Sequence, residues 1–152
     1  MRITICAVAR ARTDPTAEIC QTYQKRLPWD VTIREVEARK NLKGDKRLGA
    51  EAQLLRDAIP NRATVIALDR EGKTLSSKAF AKRLGGWRDE NIGDIAFLIG
   101  GAGGLRRDLV QTAQLVLSFG DMTWPHLLAR AMLMEQLYRA HTILTGHPYH
   151  RA

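Results

Sequence analysis

Asp94-Ile-Ala-Phe-Leu-Ile-Gly-Gly-Ala-Gly-Gly-Leu105 joins a short apolar run to four glycines in five residues. The run is too short for a helix and shows no alternation. Ile95–Ile99 therefore reads as a strand buried on both faces, the pattern of a parallel sheet. The glycines remove side chains where the chain leaves that strand, which permits positive φ and lets backbone N–H groups approach a bulky group. Open α/β sheets bind small molecules at the carboxyl ends of their strands, so this turn is the first candidate site. A tight strand-to-helix turn without a ligand accounts for the same glycines, and what gathers around them decides between the two.

Four more β-compatible runs flank it: Arg2–Ala9, Val31–Val36, Ala63–Leu68 and Gln114–Ser118. Helical signals fall between them. Asp14-Pro15 supplies an N-cap and a first-turn proline, with Ile19, Tyr23 and Leu27 at helical spacing. Leu48, Ala52, Leu55 and Ile59 form a stripe that ends at Pro60. Ser76 caps a short helix carrying Phe80, Leu84 and Trp87, which Gly85-Gly86 is expected to break. A helical piece follows from about Arg106 to Ala113, and the longest helix runs from Pro125 to about Leu144, stopped by Gly146. Strands alternating with helices predict one α/β domain over residues 1–152, a mostly parallel sheet with helices on both faces.

Composition narrows the function. The chain of 152 residues is 45% hydrophobic and 26% charged, within the globular range. It has two cysteines, Cys6 and Cys20, too few for a disulfide framework or a zinc site. No stretch approaches a membrane span, and the N-terminus starts as a strand without a signal peptide's leader, so a cytoplasmic protein is expected. The net charge of +8 favours a polyanionic partner, above all nucleic acid, over mere solubility. The charge peaks in Arg39–Arg47, where five of nine residues are basic; this reads as a solvated loop or as a mobile arm on phosphates.

Three strand ends collect candidates at one sheet edge: Leu68-Asp69, Gly100–Gly104 and Gly120–His126. Together they are expected to wrap an adenine-bearing cofactor. Gly72-Lys73-Thr74 is no P-loop, because the required earlier glycine is Ala67. A dinucleotide fingerprint also fails, since Gly101-Ala-Gly103 continues to Arg106 and follows the fourth strand rather than the first. The long helix is apolar around more than one face, from Leu127 and Leu128 through Met132 and Leu137 to Leu144, which points to central burial or, as favoured here, a second subunit. Glu135 and Arg139 read as an ordinary i, i+4 pair. The tail His147-Pro-Tyr-His-Arg151 concentrates proton-active and anion-binding groups where chain ends are normally dispensable. Pro148 and the lack of nearby carboxylates or thiols argue against a metal there. A tail that closes over a site is the sharper reading.

Phe97-Leu-Ile-Gly-Gly-Ala-Gly-Gly104, Met122-Thr-Trp-Pro-His126, Glu135-Gln-Leu-Tyr-Arg-Ala140 and the ending His147-Pro-Tyr-His-Arg151 resemble, in combination, the ribosomal RNA large subunit methyltransferase H family over the whole chain. The resemblance implies a SPOUT-type fold with a C-terminal trefoil knot, which general folding rules would not anticipate. It further implies a homodimer that uses S-adenosyl-L-methionine to methylate N3 of a pseudouridine in 23S ribosomal RNA. Carried onto this chain, cofactor contacts fall on Leu68, Gly100 and the loop Gly120, Asp121, Met122, Thr123, Trp124 and Pro125. His126, Tyr149 and Arg151 become the expected catalytic residues, positioning the base and stabilising its anion. The chain departs from the family pattern at Ala102-Gly103, where Pro-Glu is common, and at Trp124, where a smaller aliphatic residue is usual.

Methyl transfer from a sulfonium needs alignment and a nucleophile that has lost its proton; an imide N3–H is weakly acidic, so a strong base is not required. The competing class is a non-enzymatic RNA- or ribosome-binding module, which the charge alone permits but which needs no cofactor pocket. A nicotinamide-dependent oxidoreductase is the third reading, and nicotinamide binding would reveal it.

Overall fold

A computed structural model describes residues 1–151 of the chain. Five strands, β1 (Arg2–Val8), β2 (Asp30–Val36), β3 (Thr64–Thr74), β4 (Asp94–Ile99) and β5 (Leu115–Ser118), form one sheet in the order β2-β1-β4-β3-β5. Every pairing is parallel, so all five carboxyl ends lie at one edge. Five helices connect or follow them: α1 (Pro15–Arg26), α2 (Gly44–Ala58), α3 (Ser77–Asp89), α4 (Arg107–Val110) and α5 (His126–Thr145), with a final 3-10 turn at Pro148–His150.

The apolar runs of the strands serve two cores at once. Ile3, Ile5 and Ala7 of β1 and Ile95, Phe97 and Ile99 of β4 face α1, α3 and α5. Cys6, Val8 and Leu98, their neighbours on the opposite face, pack with Ala52 and Leu55 of α2 and Leu109 of α4. Burying a side chain such as Phe97 or Leu98 fully is worth about 1.5–3 kcal/mol, and this double demand is why the runs do not alternate. The apolar Cys6 site pushes its thiol up to about 11. Asp14 caps α1 by accepting from the Thr16 N–H at 2.9 Å, and Ser76 caps α3 by accepting from the Ala79 N–H at 3.1 Å.

Four expectations need correction. β3 does not stop at Leu68: after an irregularity, Lys73 and Thr74 pair with Leu117 and Ser118. Gly72 is required there, because a Cβ would sit 2.7 Å from the Val116 carbonyl oxygen. α3 runs unbroken through Gly85-Gly86; at Gly85 a Cβ would lie 2.8 Å from Leu144 Cδ2, so the missing side chain sets how closely α3 and α5 approach. The basic run is not all loop, since α2 begins at Gly44 and takes in Asp45–Arg47. Finally, the breadth of the apolar face on α5 is used within the chain, where α1, α3 and the sheet bury Ala131, Leu133, Met134, Leu137, Tyr138 and Ala140. Central burial within the chain thus accounts for most of that breadth, with Leu128 left exposed.

Candidate functional site

The carboxyl ends of β3, β4 and β5 enclose a cavity of about 910 Å³ together with the start of α5. Each wall has a local cause. β4 ends in a turn where Gly104 N–H donates to Gly101 C=O at 3.0 Å, with Gly104 at φ +76. A Cβ on Gly100 would lie 2.5 Å from the carbonyl carbon and oxygen of Gly104, so only glycine lets this turn close. The second wall follows β5. Gly120 takes φ +109, and the Ser118 hydroxyl bridges its own turn, accepting from Gly120 N–H and donating to Gly120 C=O, each at 3.1 Å. Trp124 Nε1–H donates to Phe119 C=O at 3.3 Å, folding Gly120–Pro125 back over the cavity. The third wall is β3, where the irregularity after Leu68 turns Asp69 and Glu71 toward the opening.

Of the eight predicted cofactor residues, Leu68, Gly100, Gly120, Met122, Thr123, Trp124 and Pro125 line this cavity; Asp121 does not. His126 lines it too, at the first turn of α5, so the positive end of that helix's dipole faces the space. Tyr149 and Arg151 lie elsewhere in their own chain. The tail folds back after Gly146 (φ +73) into the 3-10 turn, and Tyr149 OH donates to Glu135 Oε1 at 3.0 Å with Tyr23 OH 3.3 Å away. Its ring packs edge-on to Tyr138, centroids 4.7 Å apart. Burial, with hydrogen bonding to Tyr23 and Glu135, pushes the Tyr149 hydroxyl well above its ordinary range, so it stays a proton donor and not a base. Glu135 and Arg139 are more than a surface pair: the carboxylate that Arg139 grips also holds the tail.

Sequence reasoning missed Arg107. Its guanidinium reaches from α4 across the cavity mouth to Asp69 and, at 3.4 Å, to Glu71. The hydrogen bond to Asp69 raises its already high pKa, fixing the charge. The signal was available in Asp69-Arg-Glu71, two acids one residue apart at a strand end, but the cation they meet is distant in sequence. A second hollow, about 480 Å³, shares Leu117, Phe119 and Gly120 with the first and extends to Glu135 and Gln136. Among the described residues no cluster of His, Cys, Asp or Glu is arranged to hold a metal, and no helix is long and apolar enough to cross a membrane.

The chain matches, over residues 1–150, the family described as "Predicted SPOUT methyltransferase". It is 53% identical over 152 residues to the ribosomal RNA large subunit methyltransferase H of Rhodospirillum centenum, covering 100% of both chains. To the protein of the same name in Paramagnetospirillum magneticum it is 48% identical, covering 99% of each. In fold it is similar to a methylase family protein of Haemophilus influenzae (TM-score 0.59, 10% identity, 99% of this chain and 70% of that one). It is likewise similar to TrmJ of Z. mobilis (TM-score 0.58, 15% identity, 93% and 70%).

Proposed function

The chain belongs to the SPOUT methyltransferase family, whose members take a methyl group from S-adenosyl-L-methionine, and we propose that its acceptor is N3 of a pseudouridine in 23S ribosomal RNA. The observation that carries the cofactor part is the cavity itself, bounded by turns that require glycine at Gly100 and Gly120. The acceptor rests on full-length likeness to relatives named for large-subunit ribosomal RNA and on the net charge of +8.

The residues present fit the cofactor. Leu68, Met122 and Trp124 supply apolar surface for an adenine, while Gly100, Gly120, Asp121, Thr123 and Pro125 shape the two turns and present backbone groups. When bound, S-adenosyl-L-methionine supplies an electrophilic methyl on a sulfonium. The chain's own work is alignment and electrostatics. His126 and the amino end of α5 favour the negative charge left on the base once N3 has lost its proton. Arg151 grips the adjoining phosphate, and Tyr149, whose proton goes to Glu135, holds the tail that carries it.

In one chain the tail docks on α1 and α5 and does not reach the cavity, which favours a homodimer in which each tail serves the partner's site. Met122 and Trp124, which line the cavity, and Leu128, in the first turn of α5, are 74%, 40% and 37% exposed, apolar surface that a partner subunit would cover. The chain also passes from β5, at one edge of the sheet, back to α5 in the middle of the helical layer, as a trefoil knot requires. We place the protein in the cytoplasm, as one domain, with ribosomes. Calorimetric titration with S-adenosyl-L-methionine, with the solution mass determined alongside, tests this reading. It predicts micromolar binding by a dimer; a folded protein that binds no cofactor, with or without ribosomes, is instead the bare RNA-binding module.

A further inference from the structure

We propose that the loop leaving β1, Ala9–Thr13, is a preorganised clamp for the phosphodiester backbone of RNA, with Arg12 and Arg10 as its gripping cations. This rests on the RNA-acceptor reading above and adds a contact surface to it. The loop is strained: Ala9 has φ +81 and Arg12 φ +46, two left-handed side-chain-bearing residues within four positions. Each such residue costs of order 1 kcal/mol and persists only where surrounding structure over-determines it.

That structure is visible. Ala9 N–H donates to Val36 C=O at 2.9 Å, and Ala9 C=O accepts from Arg130 Nη2 at 3.0 Å. Ala11 N–H donates to Glu35 Oε2 at 2.7 Å, and the same oxygen accepts from Arg130 Nη1 at 2.7 Å. Arg130 is 2% exposed, and its Nε has no partner. A buried guanidinium with one donor unsatisfied is expensive, and here it fixes the shape of a surface loop. Arg130 and Glu35 act as positioning residues and would not touch RNA.

The fixed loop exposes Arg10, Arg12 and Thr13. Arg12 makes no hydrogen bond or ion pair among the described residues, and Arg10 meets only Glu37, at 3.3 Å with 53% of its side chain exposed. The loop lies beside the cofactor cavity without lining it. Val8, just before the loop, stands 2.9 Å from where Gly101 would carry a Cβ, and Ala129, beside Arg130, lines the cavity. β2 leaves the sheet alongside and brings up Arg39, Lys40 and Lys43, exposed and without a carboxylate partner among the described residues. Phosphate suits this surface better than an acidic protein does. The cations are guanidinium-rich, and none of the exposed large apolar residues belongs to these segments, whereas protein interfaces centre on buried apolar anchors.

The test is a salt titration of binding to 23S ribosomal RNA by wild type, by the double variant Arg10→Ala/Arg12→Ala, and by Glu35→Gln, with S-adenosyl-L-methionine affinity and melting temperature measured for each. The double variant should flatten the slope of log K against log salt by about one to two units and leave cofactor affinity unchanged. Glu35→Gln keeps both arginines and should weaken RNA binding severalfold with little change of slope. An unchanged slope in the double variant overturns the clamp, and wild-type RNA affinity in a folded Glu35→Gln overturns its preorganisation. If wild type itself binds no 23S RNA, it is the acceptor reading that fails, which the wild-type titration shows separately.

Discussion

Replacing Gly100 by alanine isolates the claim that the turn after β4 shapes the cofactor site. The added Cβ would lie 2.5 Å from two backbone atoms of Gly104 and 2.9 Å from the Leu105 nitrogen, whereas ordinary contact begins at 3.4 Å. All three obstacles are backbone, so no side chain can swing away, and the turn must open by roughly 0.9 Å. Overpacking of this kind costs about 1–3 kcal/mol. If the strain is relieved by opening the turn, cofactor affinity should drop between about fivefold and a hundredfold, at 1.4 kcal/mol per decade. The turn adds no side chain to either core, although Ile99 and Leu105 at its two ends belong to them, so the protein should still fold and melt cooperatively. Gly103→Ala is the matched control: its Cβ would meet only Leu48 Cδ1, at 3.9 Å, and its φ is not positive. Calorimetry of both variants with S-adenosyl-L-methionine decides the matter. Wild-type affinity in a folded Gly100→Ala, or an equal loss in Gly103→Ala, refutes the reasoning.

Gly86 is inside α3 with open space where its Cβ would go. Gly86→Ala should therefore raise stability by about 0.5–1 kcal/mol, read as a melting temperature about 1–4 °C higher. Gly85→Ala should gain less, because Leu144 must move. Arg130→Met leaves Glu35 without its cation and Ala9 C=O without its donor, and should destabilise by about 3 kcal/mol in urea unfolding; a loss under 1 kcal/mol would show the pair to be dispensable. Burial acts to raise the Glu35 pKa, but hydrogen bonds from Arg130 and the Ala11 N–H outweigh it and hold the carboxyl below its ordinary 4.5. A lowered folded pKa contributes stability above the ordinary value, and that stability is lost as pH falls through the lowered one. The melting-temperature gap between wild type and Glu35→Gln should accordingly close as the pH drops below 4.5, and a constant gap would contradict it.

What the sequence disclosed and what it hid follow from the range of each interaction. The strand cores and helix caps were legible because Asp14, Ser76 and the apolar runs act on near neighbours. The cavity was legible because glycine turns and strand ends are local features, and parallel topology then brings them to one edge. β3 was cut short at Leu68 because Asp69–Thr74 is polar; only pairing with β5, distant in sequence, makes Lys73 and Thr74 a strand. Gly85-Gly86 looked like a helix break because intrinsic propensity omits the close crossing of α5, which favours a glycine at Gly85. Nothing local marks Arg130 of α5 as buried, since its partner Glu35 is on β2, 95 residues away in sequence. Glu135 was underestimated for the same reason: its pairing with Arg139 is local, while its hold on Tyr149 is made only when the tail folds back.

Methyl transfer from S-adenosyl-L-methionine to ribosomal RNA can be followed directly on the RNA itself. Ribosomes from cells lacking this modification are incubated with the protein and methyl-labelled cofactor, and the 23S RNA is digested to nucleosides. Label should appear in a single nucleoside, N3-methylpseudouridine, and be lost when the cofactor is omitted. A protein that binds the cofactor but leaves 23S RNA unlabelled, or labels a different nucleoside, would contradict it.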